Sequence, residues 1–159
     1  MDVEGLTFAC ATAAEQRVAR RAGLHAARIG VRGAAGLPEG RLVSFGLAGA
    51  LHDDLRIGDV LVHDAADRRR LHESSGADAV DMESGVLAAS GRLAGVVRSI
   101  SDLPSSSVEG VDHTVHPDGR TNVIGLLRWI AVRRGDAVRS MRDAVTALRA
   151  LRALQGCAA

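Results

Sequence analysis

With 159 residues, of which 47% are hydrophobic and 25% charged, the chain is long enough for one domain with a substantial core and too short for two comfortable ones. It has no Lys, which excludes Schiff-base lysine chemistry and a Walker A phosphate loop; its three aromatics (Phe8, Phe45, Trp129) are too few for a base-stacking nucleic-acid reader. The net charge of +1 is unevenly placed: from Arg120 onward eight arginines face only Asp136 and Asp143, so this tail carries +6 and the remainder −5.

Such a tail reads first as a solvated helix face, with contact to nucleic acid or anionic lipid as the alternative. Cys10 and Cys157 do not suggest a disulfide framework, and no signal peptide or membrane-length apolar run is read, so a reducing, cytoplasmic setting is expected.

In chain order, Leu6–Cys10 predicts a buried first strand. Thr12-Ala13-Ala14-Glu15 then has the form of a capping box opening a helix that runs to about Ala22 and stops at Gly23. Glu15 therefore has two readings: it caps its own helix, or it serves a site at the strand-to-helix junction. Ala26–Val31 reads as a second strand, weakened by Gly30, Gly33 and Gly36 in and after it. Arg41–Phe45 reads as a central strand running into Gly46-Leu47-Ala48-Gly49, a turn whose small residues would let backbone approach a ligand. Asp59–Val62 is a further short strand, and Ala66–Glu73 a polar helical segment.

The stretch Ala77–Asp102 organises the rest. It predicts a strand (Ala77–Val80), a helix (Met82–Ser90) and a strand (Val96–Ile100). If the two strands lie parallel, Glu83 and Asp102 arrive at the carboxyl edge of one sheet, where open α/β sheets bind ligands. A long loop follows from Pro104 to Gly119. Its His113 and His116 lack a well-spaced third ligand, so no metal is expected. Two helices, Thr121–Arg134 and Asp136–Leu154, close the chain. Val138, Met141, Val145, Leu148, Leu151 and Leu154 form a stripe expected to pack on the sheet or on a partner subunit.

Four pieces together resemble the purine nucleoside phosphorylase and nucleosidase superfamily. These are Ala14-Glu15 after the first strand; Ser44–Gly49 followed by Arg56-Ile57-Gly58-Asp59; Val80-Asp81-Met82-Glu83-Ser84; and Val97-Arg98-Ser99-Ile100-Ser101-Asp102. The tail from Pro117-Asp118-Gly119-Arg120 is similar to the hopanoid-associated phosphorylase branch, implicated in cleaving adenine from adenosylhopane. The resemblance implies an α/β single domain over residues 1–159, a mixed sheet flanked by helices with reduced insertions. Residues 1–119 would form the sheet core and site, and 120–159 a C-terminal helical pair. It also implies that Asp102 is the general acid for the leaving purine and that Glu15 activates the attacking water. Glu83 would hold ribose hydroxyls with Met82 beside the sugar, and Ser101, Leu47, Ala48 and Gly49 would line the substrate.

Breaking an N-glycosidic bond requires one acid to donate a proton while other carboxylates stabilise an oxocarbenium-like ring and activate water. The Gly-Asp-Pro-type phosphate turn of phosphorylases is replaced by Ala11-Thr12-Ala13-Ala14, which favours hydrolysis over phosphorolysis. The chain is shorter than family members between Val31 and Arg41 and between Val62 and Ala66, where the base-stacking segment normally lies. Another subunit or the loop after Asp102 completes the pocket, or the substrate differs, or catalysis is lost. The expected partners are a nucleoside-like small molecule and a second copy of the chain, without nucleic acid or cofactor. Peripheral membrane contact through the basic C-terminal helix is the weaker expectation.

Overall fold

The computed structural model describes residues 3–51, 54–64, 79–80, 83–105 and 111–153. They form a mixed α/β domain built on five strands in the order β2-β1-β3-β6-β4: β1 (Leu6–Cys10), β2 (Ala26–Arg28), β3 (Arg41–Ala50), β4 (Val60–Asp64) and β6 (Leu93–Asp102). β2, β1, β3 and β6 run parallel and β4 antiparallel to β6, while the two-residue β5 (Ala79–Val80) attaches to the end of β3. The carboxyl ends of the four parallel strands therefore share one edge.

β1 and the centre of β3 are buried on both faces, as expected of parallel strands covered by helices. On one side, Phe8 and Phe45 meet edge to face with centroids 5.8 Å apart; Cys10, Val43, Val97, Ala19 and Leu151 complete that core. α1 (Ala13–Arg21) and α4 (Arg134–Ala153) cover this side through Ala19 and Leu151. On the other side, Leu42, Ile29, Ala9 and Leu87 form a smaller core beneath the short α2 (Ser84–Ala89). α3 (Val123–Val132) packs against a 3-10 turn at Val111–Thr114 and against α4.

Three expectations are corrected. β5 pairs antiparallel with β3, Gly49 opposite Val80, so Ala77–Asp102 is not a parallel strand-helix-strand unit. The Gly46–Gly49 segment is no turn: β3 continues through it to Ala50, paired throughout with β6. Third, the stripe on α4 does not pack as a unit. Leu151 is fully buried and Leu148 packs on the core, whereas Val138, Met141 and Val145 stand exposed. The stripe's spacings are mostly three residues, fewer than the 3.6 of a helical turn, so it winds round the helix and its two ends cannot both face the sheet. Ala137 and Ala147 take the buried side instead. The predicted helix Ala66–Glu73 lies outside the described residues.

Cys10 is fully buried, its Sγ 3.6 Å from the Phe8 carbonyl. Burial pushes its thiol up, the nearby Glu15 carboxylate acts in the same direction, and Arg98 and Arg20 oppose both. Thiolate is the reactive form. A chain carrying Cys157→Ser is thus expected to give no rapid reaction with an aromatic disulfide reagent when folded, and one full equivalent in denaturant. Fast native-state labelling would contradict this burial.

Candidate functional site

Two groups of polar side chains lie toward the carboxyl ends of β3 and β6. The first is assembled around Gly46. Thr12 caps α1, its Oγ1 accepting from the Glu15 N–H at 3.3 Å. Glu15 reaches back so that Oε2 accepts from the Thr12 N–H at 2.8 Å and from Thr12 Oγ1 at 2.9 Å. Its other oxygen, Oε1, accepts from the Leu47 N–H at 2.8 Å, tying the start of α1 to β3. The capping box read from Thr12–Glu15 is therefore formed, and the same carboxylate also holds a strand thirty-two residues away. Glu15 is buried at 4% exposure, and three of its roughly four acceptor positions are occupied by these bonds.

Arg98, in the middle of β6, is almost wholly buried. Its Nη2 donates to Ser44 Oγ at 2.6 Å and lies 3.4 Å from Glu83 Oε2, while Nη1 donates to the Leu47 carbonyl at 3.2 Å. Glu83 Oε1 in turn accepts from the Arg32 N–H at 3.4 Å. A buried arginine has to be paired, and here one guanidinium joins β6, β3 and the start of α2. Gly46 makes the array possible. A Cβ there would run into the Glu15 carboxylate and stand 2.8 Å from Arg98 Nη1.

The second group lies at the ends of β3 and β6. Ala48 pairs with Ile100 but Gly49 pairs with Asp102, so Ser101 is an extra residue in β6. Such a bulge re-aims the side chains that follow it. Asp102 consequently lies over Gly49, where a Cβ would come within 2.6 Å of Oδ2. Ser101 Oγ is 2.8 Å from Asp102 Oδ1 and 3.4 Å from the Ala48 carbonyl. Asp102 is only partly buried, in contrast to Glu15 and Glu83.

The structure thus pairs Glu83 directly with Arg98 and links Glu15 to the same array through the Leu47 backbone, whose N–H donates to Glu15 and whose carbonyl accepts from Arg98. It joins Asp102, Ser101, Ala48 and Gly49 in a separate group at the same edge. Gly46 and Gly49 are three residues apart on β3, about 10 Å by strand rise, and alternation directs their Cβ positions to opposite sides. The Leu47 side chain packs into the core under α1 and α4. Met82 lies outside the described residues.

Arg98 and Ser44 belong to the array but were not singled out by sequence reasoning. A lone arginine in Val96-Val97-Arg98-Ser99-Ile100 was the available signal, because charge on a buried strand demands a partner. The described residues hold no group of three or more His, Cys, Asp or Glu able to bind a metal, and none of their helices is long and apolar enough to cross a membrane.

In comparisons with known proteins, no family model matches the chain, and no curated protein or solved structure shows significant similarity to it.

Proposed function

We propose that the protein is a nucleosidase-like enzyme that hydrolyses the N-glycosidic bond of an adenosine-type nucleoside, with adenosylhopane as one candidate substrate. The observation that supports this most is that buried Glu15, Arg98 and Glu83 and partly exposed Asp102 lie toward the carboxyl ends of neighbouring parallel strands, the side on which α/β sheets take small ligands. The substrate would lie across the end of β3, sugar toward the Glu15–Arg98–Glu83 array and base toward Asp102. In the reaction the bond from C1′ to the base nitrogen breaks and its electron pair leaves with the base. Asp102, held beside Ser101, gives a proton to the departing purine. Water attacks C1′ as positive charge builds on the ring, and Glu15 accepts the proton the water loses. Glu83 holds the ribose hydroxyls. The nucleoside phosphorylase-like fold and the homo-oligomer belong to the same proposal.

A second reading has its own support. Glu15 is committed to capping α1 and to the Leu47 N–H, and Glu83 to Arg98, so both acids already serve the fold. On that reading the frame is repurposed for binding or assembly. The deciding experiment incubates purified chain with adenosine and 5′-substituted adenosines, with and without phosphate, and follows adenine by chromatography. Hydrolysis predicts adenine and free sugar in phosphate-free buffer. No release from any of them, with the fold intact by circular dichroism, favours the repurposed protein.

A further inference from the structure

α3 presents to solvent a side that a folded core would normally claim. Trp129 is buried, yet Val123 is 60% exposed, Ile124 80%, Leu127 62% and Val132 73%. The only charged residue in this helix, Arg128, is exposed among them. α4 continues the pattern: Val138, Met141 and Val145 are exposed, interleaved with exposed Arg134, Arg139 and Arg142. The acids on these helices are Asp136 and Asp143, both partly buried. Asp136 lies 3.8 Å from Arg133 and 3.6 Å from Arg139. An open groove of about 990 Å³ runs beside α3, with Ile124, Arg128, Val132 and Arg133 on one side and His113 and His116 on the other.

We propose that the outward faces of α3 and α4 form a docking surface for an anionic lipid bilayer. The aliphatic side chains would enter the boundary between headgroups and acyl chains, and the arginines would sit at the level of the lipid phosphates. Aliphatic projections and unbalanced positive charge together are what interfacial helices use, since each alone gives weak attachment. Isologous pairing of this face with a second copy is disfavoured, because it would oppose arginine to arginine around the symmetry axis. The charge asymmetry of the chain points the same way: the +6 tail would face the membrane and the −5 remainder the aqueous side. This inference does not depend on the glycosidase reading.

The test is co-sedimentation of the full chain with sucrose-loaded vesicles of phosphatidylcholine, with or without phosphatidylserine. Binding is expected only with phosphatidylserine and should weaken as salt is raised. Arg128→Gln, Arg139→Gln and Arg142→Gln should each lower the partition coefficient about fivefold, near the full worth of one basic residue at such a surface. Ile124→Ser with Leu127→Ser should lower it further while leaving the circular dichroism spectrum unchanged, because both side chains are exposed. Equal binding to both vesicle types, binding indifferent to the arginine changes, or no sedimentation at all overturns the proposal. If the paired serine variant instead splits a dimer in light scattering and the chain ignores vesicles, the face covers a second copy.

Discussion

Arg98→Met is expected to lower the unfolding free energy by about 3–5 kcal/mol, the usual cost of removing one partner from a buried ion pair. The side chains of Arg98 and Glu83 are 3% and 6% exposed, so water cannot take over when the guanidinium is gone. Glu83 then stays buried without its counter-ion, and Ser44 Oγ and the Leu47 carbonyl each lose a charge-assisted donor. Methionine fills much of the same volume, so the loss reports charge and hydrogen bonding more than packing. Adding Glu83→Gln should return part of the stability, because it removes the stranded charge. The coupling would appear in a double-mutant cycle from urea titrations. A cost below about 1 kcal/mol for Arg98→Met would match an exposed pair instead and would refute the burial of this array.

The same array shows what the amino-acid order made readable. β1, the start of β3 (Leu42-Val43) and Val96-Val97 of β6 are apolar and β-branched, as strands covered on both faces require. α1 announced itself through Thr12 and Glu15, a signal complete within four residues. What failed depended on distant partners. Gly46 and Gly49 read as a turn because glycine normally punctuates strands. Here they sit inside β3 because the Glu15 and Asp102 carboxylates occupy the space a Cβ would need. The antiparallel attachment of β5 rests on two residue pairs, too few to leave a pattern in the sequence. Nor could spacing reveal that Arg98 would choose Ser44 and Glu83, fifty-four and fifteen residues away. On α4 the apolar stripe was visible, but which half of it the sheet would cover depended on how the helix crosses β6.

On the proposed nucleosidase reading, Asp102→Asn is expected to slow base release from a nucleoside substrate by about 10²–10⁴-fold, the range that a positioned general acid contributes. The amide retains the shape of the carboxylate and can still accept from Ser101 Oγ through Oδ1, so stability should change little at this partly exposed strand end. It cannot supply the proton that the departing purine requires. The loss should therefore fall on kcat with KM nearly constant, as expected when an interaction made only in the transition state is removed. Gly49→Ala provides an independent approach to the same group. Its new methyl would stand 2.6 Å from Asp102 Oδ2, and the free end of the carboxylate is what yields most easily. The acid would swing away from its place over β3 while the strand pairing survives. Both variants should then show depressed turnover with near-normal urea midpoints. A substrate carrying a leaving group that needs no protonation should be cleaved by Asp102→Asn at close to the rate of the unaltered chain. If Asp102→Asn releases purine from an ordinary nucleoside at full rate, the proton comes from elsewhere and the role assigned to Asp102 is wrong.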